Sequence, residues 1–143
     1  MSDAKSNWAE NGFLDLLYNA TTWAGIAQDH ATPLATFYLA LHSSSPADAG
    51  NQTTNEVSYG AYARVAVART SGGFTVSGNQ VTLAADKDFP EATSGTATAT
   101  HFSIGTLSTG AGNILHYGTV TPNISISTGV TPRLTTGTTI TEQ

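Results

Sequence analysis

The feature that most constrains this chain is a series of short segments, from Thr32 onward, in which apolar and polar residues alternate. In the clearest segment, Phe37, Leu39 and Leu41 occupy every second position. Because side chains of a β-strand point alternately to its two faces, this period predicts strands with one buried face. Turn-forming residues separate roughly seven to nine such segments, which favours a sandwich or small barrel over a βαβ fold.

Composition supports a folded β protein. The 143 residues include 24 threonines, 13 serines and 14 glycines, whereas charged residues make up 10% and the net charge is −5. A disordered chain of low hydrophobicity normally carries a high net charge, and this chain does not. Threonine favours strands because its branched Cβ packs well on a pleated surface.

The first thirty residues follow a different period. Asn7 and Glu10 have the spacing of a capping box, and apolar residues from Phe13 to Ala20 recur at helical intervals. We therefore predict a helix over residues 7–19. The predicted fold class is mainly β, an antiparallel β-sandwich of Ig-like or jelly-roll-like type with a short N-terminal α-helix.

The predicted organisation is an N-terminal arm and helix over residues 1–31 and a β-sandwich domain over residues 32–143. The threonine-rich tail after Pro132 has high β-propensity and almost no charge. It is expected either to add a strand to a partner's sheet or to form the last strand of its own sandwich.

Several classes of protein are not expected. The chain has no cysteine, so thiol catalysis, disulfides and cysteine-ligated zinc are excluded. It has no apolar run long enough to span a bilayer and no N-terminal leader pattern, so no membrane or secretory role is expected. Its basic residues are scattered, which disfavours nucleic-acid binding. They are Lys5, Arg64, Arg69, Lys87 and Arg133.

An enzymatic role is not expected either. Asp86, Asp88 and Glu91 form the one charge-dense stretch, but a calcium loop needs a different frame of oxygen ligands, and a glycosidase needs two carboxylates across a cleft. We interpret the stretch as a solvated loop. Since His101 and His116 fall in strands that could be adjacent, a cross-strand pair is possible in principle, although hydrogen-bonded strand histidines are commoner than metal ligands. No metal or cofactor is expected.

Five residues are candidates for an interface. Trp8 precedes the apolar stripe of the helix and Trp23 lies where the helix should end; such aromatic residues anchor either on the chain's own sheet or on a neighbouring subunit. Arg64 beside Tyr62 is either a cation–π or binding pair or an ordinary exposed strand residue. With Phe13 on the helix, the interface candidates are Trp8, Phe13, Trp23, Tyr62 and Arg64.

The order of several short motifs resembles a family of small virion proteins of tailed phages and prophages. The match falls on LDLL at Leu14–Leu17, on FYLALHSSSP at Phe37–Pro46 and on EVSYGAYARV at Glu56–Val65. It continues through THFSIGTLSTGAGN and the segment ISISTGVTPRL. The chain departs from the family pattern at Gly105–Leu107, where an aromatic residue and an aspartate are usual, and at Ser127–Gly129.

The resemblance implies a virion structural protein. The leading expectation is a homo-oligomeric capsid decoration, or cement, protein that binds the major capsid protein on the outer surface of the virion, after synthesis in the bacterial cytoplasm. Such a protein stabilises a shell because it binds the assembled state and not the disassembled one. The alternative is a tail-fibre or tail-tip module that binds a receptor or sugar, which predicts exposed aromatic residues with polar partners in a groove.

Overall fold

A computed structural model describes residues 6–23, 26 and 32–142. Within them, one helix, α1, spans Asn7–Asn19, as predicted. Its N-terminal cap differs from the prediction by one residue: Ser6 is extended, and its hydroxyl accepts a hydrogen bond from the Ala9 N–H at 3.3 Å. Ser6 takes this role because its backbone lies outside the helix, as capping requires, whereas Asn7 is already helical.

The C-terminal end of α1 is closed by backbone geometry and by an arginine from elsewhere in the chain. Ala20 is left-handed, with φ of 53°, and the Thr21 N–H donates to the Asp15 carbonyl at 3.1 Å. The buried Arg69 guanidinium donates to the carbonyls of Leu17 and Leu16, the latter at 2.8 Å. It thus places a positive charge at the negative end of the helix dipole.

Nine strands follow α1 in the described part of the chain. They are β1 (Thr36–His42), β2 (Val65–Ala68), β3 (Phe74–Ser77), β4 (Gln80–Leu83), β5 (Lys87–Asp88), β6 (Ala97–Gly105), β7 (Ile114–Ile126), β8 (Arg133–Leu134) and β9 (Thr139–Thr141). The sheet orders are β2-β1-β6-β7, β3-β4-β9 and β5-β8. Every strand pair with a described register is antiparallel. The predicted class, mainly β with antiparallel sheets and a short N-terminal helix, is confirmed.

The pairing of β6 with β7 in the four-stranded sheet explains the length of β7 and the positions of two histidines. Strand β7 runs through both sides of Pro122, because β6 pairs with each part: Ala99 lies opposite Ile124, and His101 lies opposite Thr119. The ladder is irregular between these pairs. β6 and β7, which carry His101 and His116, are adjacent, but the register places His116 opposite Ile104 and not opposite His101.

The three-stranded sheet holds the C-terminal run. β3 and β4 form a hairpin whose turn contains Gly78, with φ of +60°, where the sequence predicts a turn. β9 pairs with β4 and places Ile140 opposite Val81. Of the two expectations for the tail, the structure shows a strand of the chain's own sheet.

The acidic stretch is not only a solvated loop. It contains β5, and Phe89 and Ala92 within it are almost fully buried. The stretch therefore contributes apolar side chains to the core, whereas the exposed Asp88 carboxylate bonds to Arg133 on β8.

The chain divides into two compact units. The helix unit comprises residues 1–35, 68–85 and 135–143, and the sheet unit comprises residues 36–67 and 86–134. Tyr18 and Phe74 meet edge to face in the helix-unit core, with ring centroids 4.8 Å apart. The predicted boundary after residue 31 stays a prediction. Among the described residues, no helix is long and apolar enough to cross a membrane.

Candidate binding groove

One side of α1 forms the wall of a groove. Trp8, Asn11, Gly12 and Asp15 follow the i, i+3, i+4, i+7 spacing that places residues on one helix face. They line a groove of about 460 Å³ in the helix unit. The other lining residues are Thr21, Thr22, Trp23 and Gly78. We call this set the tryptophan groove.

The two tryptophans pack against each other. Their ring centroids are 5.2 Å apart, with an interplanar angle of 61° that is typical of an edge-to-face pair. Trp8 is 64% exposed, whereas Trp23 is partly buried. The Trp23 indole lies directly on Gly12, where a Cβ would come within 2.4 Å of Trp23 Cε2. Glycine at this position is therefore what lets the second tryptophan approach the helix.

The polar part of the groove centres on Asp15. One carboxylate oxygen accepts a hydrogen bond from the Asn11 amide at 2.8 Å, and the other accepts one from the Asn19 amide at 2.9 Å. Both partners lie four residues away on α1, so the helix itself fixes the carboxylate. Thr21 and Thr22, both exposed, add hydroxyl groups.

A second polar cluster lies in the sheet unit. The Glu56 carboxylate accepts hydrogen bonds from the Tyr62 hydroxyl and from two nitrogens of Arg64, each at 2.8 Å. The Arg64 side chain is only 3% exposed. Burial is the main cause that raises the pKa of Tyr62 well above its usual range. Arg64 thus forms a buried ion pair with Glu56. It is not the exposed strand residue that was one of the two interpretations of the sequence.

Arg64 of this cluster and the nearby Gln52 bind the backbone of a surface loop. Arg64 donates to the carbonyls of Leu107 and Gly110, at 2.9 and 2.8 Å. The fully buried Gln52 accepts a hydrogen bond from the Leu107 N–H and donates to the Leu107 carbonyl. A Cβ on Gly112 would come within 2.0 Å of the Gln52 side chain. We call residues 106–113 the tethered loop.

A fully buried histidine, His42, lies next to Glu56 of this cluster. His42 Nδ1 lies 2.8 Å from the Thr54 carbonyl, and Nε2 lies 2.8 Å from the Ser103 hydroxyl. Since a carbonyl only accepts, Nδ1 carries the proton and Nε2 accepts from the serine. Burial is the largest influence and lowers the pKa of His42.

The structure places four of the five interface candidates in two groups. Trp8 and Trp23 come together in the tryptophan groove, whereas Tyr62 and Arg64 meet through Glu56 in the sheet unit. Phe13 is 38% exposed on α1 but does not line the groove.

Sequence reasoning missed the groove's polar side and the partner of Arg64. Asn11 and Asp15 were detectable, because they share with Trp8 the spacing of one helix face. Glu56 carried no such signal, since it lies outside the strands and its pairing with Arg64 depends on the fold.

The carboxylates considered for catalysis or metal binding belong to another arrangement. Asp88 accepts two hydrogen bonds from Arg133, and Asp86 lies 3.8 Å from the same guanidinium. The hydrogen bond from Arg133 is the main cause that lowers the pKa of Asp88. In the part of the chain that the structure describes, no group of three or more His, Cys, Asp or Glu residues could hold a metal ion.

Comparison with known proteins relates the chain to a family of phage proteins. No curated protein matches its sequence. One family model, described as Podophage GP4 fiber I protein gp80, matches residues 4–142, which is nearly the whole chain. This match agrees with the resemblance noted in the sequence, since both indicate a phage virion protein. The chain belongs to the podophage GP4 fiber I protein gp80 family and is a structural protein of the bacteriophage virion.

Proposed function

We propose that this protein is a tail-fibre module that contacts the surface of the host cell. The tryptophan groove carries the proposal, because it combines an exposed indole with a carboxylate, an amide and two hydroxyls. Binding sites typically join apolar or aromatic surface to a few placed polar groups. The family description names a fibre protein, which supports the same role.

The second candidate is the capsid decoration protein expected from the sequence resemblance, with the major capsid protein as partner. The resemblance covers nearly the whole chain and favours a virion protein without choosing head or tail. In this role the protein would cover the outer shell and stabilise it by binding only the assembled lattice. Many modest contacts would act together.

In either location we propose a non-catalytic homo-oligomer. Virion components are arranged by symmetry, and a repeated subunit makes the same contact many times. Asp86 and Asp88 were the carboxylates considered for catalysis in the sequence. In the structure both pair with the exposed Arg133 side chain. We expect purified protein to release no reducing sugar from host cell walls. If the wild type did release sugar and Asp88→Ala did not, the non-catalytic role would be contradicted.

The experiment that tests the location combines counting with imaging. Gel densitometry of purified virions measures the copy number against the major capsid protein, and immunogold labelling shows where the protein lies. We expect a few copies per particle, with label on the tail. A ratio near unity or a simple fraction, with label over the head, would establish the decoration role instead.

The host-contact role is tested by competition for adsorption. Purified protein should reduce phage adsorption to host cells in a dose-dependent manner. The Trp8→Ala variant should compete poorly, because it removes the exposed indole of the groove. Phe13→Ala is the matched control: Phe13 is a part-exposed aromatic residue on the same helix but outside the groove. Equal competition by both variants would contradict the proposal.

A further inference from the structure

We propose that the tryptophan groove binds a neutral saccharide, through one or more pyranose rings of a surface glycan. This inference rests on the proposed host-contact role and names the chemical class of its ligand. The ligand class follows from three properties of the groove: its aromatic surface, its hydrogen-bonding groups and its charge.

The aromatic surface suits the apolar side of a sugar ring. A pyranose presents C–H groups on its faces and hydroxyls around its rim, so it packs on indole and still needs polar partners. Trp8 is 64% exposed and is steadied by its edge-to-face contact with Trp23. Such a contact leaves a large apolar surface in water, and covering it with a ligand is favourable.

The hydrogen-bonding groups suit the rim of hydroxyls. Each Asp15 oxygen accepts one amide hydrogen bond and keeps capacity for another, because an ionised carboxylate has about four acceptor positions. The hydroxyls of Thr21 and Thr22 both donate and accept. Because the two asparagines fix the carboxylate on the helix, little conformational freedom would be lost on binding.

Charge separates neutral sugars from other ligands. Asp15 is the one ionisable group among the described lining residues, so an acidic sugar or a phosphate would meet a like charge. A quaternary ammonium ion is the main rival, since it also packs on tryptophan near a carboxylate. It would leave the threonine hydroxyls and the Asn11 amide without a ligand partner, whereas a saccharide uses them.

The volume agrees with a short saccharide. Ligand pockets usually enclose about 300–1,000 Å³, and the groove measures about 460 Å³.

The protein's own fluorescence can be used to follow binding, because Trp8 and Trp23 are its two tryptophans and both line the groove. Intrinsic tryptophan fluorescence therefore comes from the groove alone.

The test is a fluorescence titration of the 143-residue protein, repeated by calorimetry. The probes are four neutral disaccharides (cellobiose, maltose, lactose and N,N′-diacetylchitobiose), with choline chloride and sodium glucuronate as the cationic and anionic comparisons. We expect saturable binding of at least one neutral disaccharide and none of choline or glucuronate. Failure of all four disaccharides to bind, or binding of choline or glucuronate instead, would overturn the inference.

Variants connect the binding to the groove. Trp8→Ala and Thr22→Val change exposed side chains, so both should fold as the wild type does by circular dichroism. Trp8→Ala should weaken binding by at least about tenfold, and Thr22→Val should weaken it less. Phe13→Ala should bind like the wild type. Unchanged affinity in Trp8→Ala would place the sugar elsewhere and overturn the inference, while immunogold labelling tests the fibre location separately.

Discussion

At the scale of single residues, two arginine ion pairs of the sheet unit, Arg64–Glu56 and Arg133–Asp88, differ in their exposure to water and hence in their contribution to stability. Arg64 is 3% exposed and pairs with Glu56, which is 15% exposed, whereas the side chains of Arg133 and Asp88 are about half exposed. Water screens the second pair and hardly reaches the first. Similar distances therefore conceal different contributions to stability.

We predict that Arg64→Met lowers the free energy of unfolding by about 3–5 kcal/mol, because it leaves the Glu56 carboxylate without its cation in a mostly buried site. The matched control is Arg133→Met, which removes an arginine from an exposed pair and should change stability little. Urea unfolding followed by circular dichroism measures both. Equal losses in the two variants would contradict the distinction between buried and exposed pairs.

His42 makes stability depend on pH. Burial lowers the pKa of His42 below its ordinary value of 6.5; Thr54 and Glu56 oppose the shift, and Arg64 and His101 add to it. The unfolded chain thus binds a proton more readily than the folded one. This contribution to stability is complete above about pH 6.5 and is lost as the pH falls from there toward the lowered pKa.

We therefore predict that the free energy of unfolding falls between about pH 7 and pH 5, in the range where histidine titrates. In His42→Gln this part of the slope should disappear, although the variant is less stable at every pH. His101→Gln, which removes the smallest of the influences on the pKa of His42, should keep most of the slope. An unchanged slope in His42→Gln would show that another group is responsible.

At the scale of elements, α1 shows what local sequence determines and what it does not. Its bounds followed from periodicity, because the apolar spacing and the residues at its ends act within a few positions. The Arg69 contacts with its last turn did not, since Arg69 lies about fifty positions further along the chain. The same holds for β7, whose continuity across Pro122 depends on its pairing with β6.

We predict that Arg69→Met lowers the free energy of unfolding by about 1–3 kcal/mol, because part-buried carbonyls at the end of α1 lose these donors. Arg69→Lys should restore only part of the loss, since an ammonium cannot reproduce the planar fork of donors that reaches both Leu16 and Leu17. Chemical unfolding measures the loss, and far-UV circular dichroism reports on the helix. Full rescue by lysine would mean that charge alone matters.

At the scale of the whole molecule, composition and alternation were enough to predict a mainly β chain, but not which strands share a sheet. Neighbouring β5 and β6 belong to different sheets, and β9 joins β4 across the intervening strands. Such pairings join distant parts of the chain and leave no local signal. For the candidate site, the two tryptophans were identifiable as unusual residues, whereas their meeting in one groove required the fold.

Protection against hydrogen exchange should follow the sheet order. β1 and β6 lie inside the four-stranded sheet and carry some of the most buried side chains, whereas β9 is an edge strand of three residues. We predict that the backbone amides of β1 and β6 exchange most slowly and those of β9 much faster. Exchange measured by NMR tests this, and the reverse order would show that the helix unit is the more stable one.

The tethered loop has a consequence for how this phage protein can diversify. Arg64 and Gln52 hold the loop through the main chain of Leu107 and Gly110, and no side chain of these residues takes part. Leu107, Ser108 and Thr109 are exposed, so they can mutate while the loop keeps its path. In the proposed host-contact role, such a loop would accumulate substitutions without loss of folding, which makes it a natural position for inherited variation and for engineered libraries.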